Sequence, residues 1–76
     1  MAHRVYRDIV TAVRSGRLIE PFSVNDFRNA CPGWAEGTYN AFLYKHRKGN
    51  YGKASQLFEQ VGINSFQCIR PFKYGF

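Results

Sequence analysis

Three side chains on one short stretch could read the edges of nucleic-acid bases. Asn40, Tyr44 and Arg47 stand at i, i+4 and i+7, one ridge of a helix that turns about 100° per residue. An asparagine amide can pair bidentately with adenine and an arginine fork with guanine, so the ridge has the chemistry of a major-groove probe. Lys45, Lys48 and Lys53 lie around it as phosphate contacts, and Arg70 and Lys73 could add backbone contacts from farther along the chain. A solvated basic helix face carries the same residue types. The pattern therefore needs support from its neighbours.

The segment from about residue 36 to 48 supplies some. Wound as a helix, it places Tyr39, Phe42, Leu43 and His46 on one apolar stripe. Gly37, Asn40, Ala41, Tyr44 and Lys48 collect opposite, flanked by Lys45 and Arg47. Small residues there allow close approach to a partner. No acid occurs between Glu36 and Glu59, so nothing local neutralises the cations.

Other chemistries fare poorly. His46 lies on the apolar stripe, which reads as a hydrogen-bonded histidine at the edge of a core. His3 is 43 positions away, too isolated to make a zinc pair. The five acids are scattered, Ser23 reads as a helix cap, and neither Cys31 nor Cys68 has a base beside it. No enzyme activity, cofactor or metal is expected. The two cysteines read as buried free thiols in a reducing cytoplasm.

Composition sets the frame. The 76 residues make one domain with one core, and 45% hydrophobic content is too high for a disordered chain. A net charge of +6 and a pI near 9.8 favour polyanionic partners. No apolar run approaches the roughly 20 residues of a membrane span. The charged residues after Met1 read as the start of a helix, not as a signal peptide.

The elements that would position these groups can be read in order. His3 to Ser15 forms a first helix, with Val5, Tyr6, Ile9, Val10 and Val13 inward, and Gly16 closes it as a left-handed cap. Leu18-Ile19 is extended ahead of Pro21 and can supply a short third strand. Ser23 caps a second helix, Asp26 completes a capping box, and Phe22 and Phe27 form its hydrophobic staple. Pro32-Gly33 breaks that helix near Ala30, and Trp34 anchors the following turn. The third helix ends near Gly49, a loop crosses 49–53, and residues 54–57 add a helical turn or lead into a strand. Strands at 57–61 and 66–70 join through a turn at 62–65. The expected fold is α+β, a small winged helix of three helices, a helix-turn-helix and a C-terminal two-stranded hairpin. Phe22, Phe27, Trp34, Phe42, Leu43, Phe58, Val61 and Phe66 are its expected core.

At the hairpin, Phe58, Val61, Gly62, Phe66 and Cys68 resemble the pattern that ends HARE-type winged-helix domains. Pro21-Phe22-Ser23, Thr38 and Leu43 fit the same likeness. The turn Ile63-Asn64-Ser65, the first-helix arginines and the tail 71–76 depart from it. The resemblance implies a winged helix of the kind in bacterial RNA polymerase delta subunits, restriction-system proteins and chromatin proteins. A double-stranded DNA-binding module in transcription or restriction is then the leading expectation, with the third helix in the major groove. Arg4, Arg7 and Arg14 could extend its basic patch.

The alternative is a protein-interaction module or accessory subunit whose basic face meets an acidic partner. The turn at 62–65 has no cation, which counts against minor-groove insertion. Ile63, Tyr74 and Phe76 would be the apolar anchors of a protein contact. RNA fits the charge equally, but the aromatics sit at core positions, not on a strand face.

Overall fold

A computed structural model of the chain describes residues 2–49 and 55–76. Its elements are α1 (Ala2–Ser15), α2 (Val24–Ala30), α3 (Glu36–Lys45), β1 (Phe58–Gly62) and β2 (Ser65–Cys68). This is the α+β, winged-helix-like arrangement that the residue pattern predicts.

α1 buries Val5, Tyr6, Ile9, Val10 and Ala12 on one stripe. Gly16 leaves it at φ +82°, and the next turn carries Leu18 back into the core. α2 starts on a complete capping box: the Ser23 hydroxyl accepts from the Asp26 N–H, and the Asp26 carboxylate accepts from the Ser23 N–H, both at 3.0 Å. Phe22 and Phe27, on either side of that cap, are fully buried.

β1 and β2 pair antiparallel, with Phe58 opposite Cys68 and Gly62 opposite Ser65. The turn is Ile63-Asn64, where Asn64 takes φ 54°, a left-handed conformation that asparagine tolerates. The third pairing lies at Phe22 and not at Leu18-Ile19. Phe22 and Phe66 exchange both backbone hydrogen bonds at 2.8 Å. Ile19 is instead 70% exposed. Residues 55–57 run irregularly into β1 without a helical turn.

The core joins Tyr6 and Ile9 of α1, Phe27 of α2, Tyr39, Phe42 and Leu43 of α3, and Phe58 and Phe66 of the hairpin. Burying each such side chain contributes about 1.5–3 kcal/mol. Two expected core positions differ. Trp34 is only half-buried, because its indole N–H reaches Asp8 at 2.9 Å near the surface. Val61 is 49% exposed, since a period of two from buried Phe58 carries it, with Glu59, onto the outer side of the strand.

Candidate nucleic-acid interface

α3 turns the stripe Tyr39-Phe42-Leu43 inward and buries it. His46 caps the helix, buried, with Nδ1 at 2.8 Å from the Ser55 carbonyl oxygen and its ring 4.5 Å from that of Phe42. The complementary face is solvent-exposed and holds Gly37, Asn40, Ala41, Tyr44 and Lys45. Tyr44 sets its ring edge-on to Phe66 at 5.1 Å, which ties the end of this face to β2. On the other flank, Gly37, Thr38, Ala41 and Lys45 line a shallow cleft against Val5 of α1.

The expected ridge does not run its full length. The helix ends at Lys45, not near Gly49, because the chain turns out to pair with the start of β1. The His46 carbonyl accepts from Leu57 and Phe58, and the Lys48 N–H donates to the Phe58 carbonyl at 2.7 Å. Arg47 therefore sits in a parallel bridge beside Phe58, off the helical face. Its guanidinium donates to Gln60 Oε1 at 2.7 Å and lies 5.9 Å from the Tyr44 ring. Asn40 and Tyr44 share the helix. Arg47 belongs to the hairpin.

The remaining cations are dispersed. Lys48 is exposed just beyond α3, and Lys53 lies outside the described residues. Arg70 holds Glu20 in an ion pair at 2.7 Å and stacks 4.4 Å over the Phe72 ring. Burial pushes the Glu20 carboxyl upward, but Arg70 and the Cys68 N–H outweigh it and hold it below its ordinary value. Lys73 is exposed on the tail, its backbone N–H donating to the Tyr6 hydroxyl at 2.9 Å. Arg4 and Arg7 are exposed on α1 beside Trp34.

Every acid in the chain has a partner. Glu20 pairs with Arg70 and Glu36 with Arg28. Asp8 takes the Trp34 indole, Asp26 closes the α2 cap, and Glu59 accepts from Gln67. Only two of the five acids are spent on cations between described residues, so most of the positive excess stays uncompensated.

The hairpin tip carries no cation, and Ile63 there is 98% exposed. Tyr74 and Phe76 lie elsewhere, each 5.7 Å from the Tyr6 ring. Tyr6 also touches Phe58, so roughly 16 Å of strand separates these anchors from Ile63. The three apolar anchors do not form one patch. Burial raises both thiols to about 12, Cys31 with help from Asp8 and Cys68 with help from Glu20, which leaves them poor nucleophiles.

No family model, curated protein or solved structure matches the chain. What the structure shows is a winged-helix-like order of three helices and a C-terminal two-stranded hairpin. Among the described residues, no helix is long and apolar enough to cross a membrane, and no three His, Cys, Asp or Glu side chains are grouped to hold a metal. Three partnerships were missed in sequence: Glu20 for Arg70, Gln60 for Arg47 and Glu36 for Arg28. Charge alone could have offered the first and third, but not the choice among eleven cations.

Proposed function

We propose that this protein is a non-catalytic, double-stranded DNA-binding module that lays the outer face of α3 in the major groove. The HARE-like hairpin residues favour a role in transcription or restriction. One observation carries the reading: α3 presents a solvent-exposed face of small and polar residues with no acid on it beyond Glu36, which Arg28 already holds. The ten-residue helix is about 15 Å long, and a helix diameter of about 10–12 Å with side chains suits a groove about 12 Å wide. Lys45 and Lys48 stand at the end of that face, placed for phosphates, and Arg47, Lys73, Arg4 and Arg7 add to the field.

Most of the affinity then comes from counterion release. Three to five neutralised phosphates give a slope of about −3 to −4.5 in log K against log salt. Fluorescence anisotropy with a labelled random duplex across a salt series measures it. A slope near zero, with binding retained, removes the phosphate contacts from the account.

A second reading, docking to an acidic protein, draws on the bare Ile63 and the half-exposed Val61 at the wing. Single exposed apolar residues are ordinary, and only a contiguous patch marks an interface. Tyr74 and Phe76 lie on Tyr6 at the far end of the hairpin, so the DNA reading is the better supported.

A further inference from the structure

The site proposed above holds one side chain whose chemistry names a base. Asn40 is exposed near the middle of α3 and is the only side-chain amide on that helix. Its side chain makes no hydrogen bond or ring contact with any described residue. Its amide keeps a free donor and a free acceptor, the pair that meets N7 and N6 of adenine in the major groove.

The guanine-reading counterpart is missing from the same face. α3 contains no arginine, and Arg47 is held to Gln60 at 2.7 Å in the hairpin. Lys45, in the last turn of α3, lines the cleft facing Val5 together with Gly37 and Ala41, and the proposal above assigns it to a phosphate. Next to Asn40, exposed Ala41 offers a methyl group, the contact that suits the C5-methyl of thymine. Gly37 keeps the neighbouring backbone bare.

We infer that, within the DNA-binding reading, α3 selects an A·T base pair, with Asn40 on adenine and Ala41 against a thymine methyl. The preference over G·C at that position should be about 5- to 150-fold, the usual range for one bidentate pair.

Competition anisotropy tests this with duplexes of equal length and charge that differ in their central base pairs. Tighter binding to A·T than to G·C, with the difference lost in Asn40→Ala, is the expected result. Two substitutions in the DNA repeat the test on the unmodified protein. Replacing adenine by 7-deazaadenine removes the N7 acceptor and should erase the preference. Replacing thymine by uracil removes the methyl and should weaken binding a few-fold.

Equal affinity for all duplexes, or an A·T preference that survives both Asn40→Ala and 7-deazaadenine, overturns the inference and leaves DNA binding standing. An unchanged affinity for the uracil duplex overturns the Ala41 contact. Absence of binding to any duplex at low salt overturns the DNA reading, and the base preference with it.

Discussion

Glu20 is the residue on which the wing's attachment turns. Its carboxylate accepts from the Cys68 N–H at 2.6 Å and pairs with Arg70 at 2.7 Å, fastening the α1–α2 connection to the end of β2. Glu20→Gln should cost about 1–2 kcal/mol by thermal melting, the range for a hydrogen bond to a charged group softened by partial exposure. The sign with pH follows from the direction of its shift. The folded carboxyl titrates below its ordinary value of 4.5, so its stabilisation is full above that value and is lost as pH falls through the lower folded one. The wild type should lose stability there faster than Glu20→Gln. Cys31 and Cys68 act at the other end: neutral thiols favour the fold below about 9, and that contribution drains as pH rises toward about 12. At neutral pH, iodoacetamide should modify neither thiol in the native protein and both in denaturant, as read by mass. The burial of His46 was legible, because it lies on the apolar stripe at helical spacing. The Glu20–Arg70 pair was not, since fifty positions separate the partners and no local rule selects one arginine.

α2 and α3 show where local signals suffice and where they fail. The α2 start was written in four residues, Ser23 to Asp26, because a capping box is a contact between near neighbours. Ser23→Ala should lower stability by about 0.5–2 kcal/mol in a melting experiment. The α3 end was not legible. Lys45 to Lys48 would continue a helix by propensity, but bonds from Leu57, Phe58 and Lys48 draw the backbone to β1 instead. A long-range competitor decided that boundary, and with it the fate of Arg47. Gly37 is informative in the opposite sense. It lies in the first turn of α3, and a Cβ there would meet no atom within 4 Å, so the free fold has no steric need for glycine. Gly37→Ala should raise stability by a few tenths to about 1 kcal/mol. If the helix backbone lies against DNA, the same change should weaken duplex affinity. Opposite signs in the two measurements would separate the interface from the fold.

At the scale of the molecule, the uneven use of charge is the feature that matters. The five acids are committed to one cap, one indole, one amide and two ion pairs, while the cations of the described residues, ten of the eleven, spread around a body about 29 × 26 × 25 Å. Composition made the excess plain. The distribution needed the fold, which moved Arg47 and Arg70 into internal contacts and left α3 flanked by lysines. The winged-helix order was legible because helix caps and the hairpin turn mark themselves locally. The neutral tip was legible too, and Ile63→Lys should leave stability within about 0.5 kcal/mol while testing whether the wing approaches phosphates. The central claim is that the outer face of α3 contacts duplex DNA. Amide NMR titration with a short random duplex, at low and then moderate salt, tests it most directly. Shifts clustered on Gly37, Asn40, Ala41, Tyr44, Lys45 and Lys48 that fade with salt are the predicted result. Unshifted α3 resonances at low salt, or shifts confined to the hairpin tip, would contradict it.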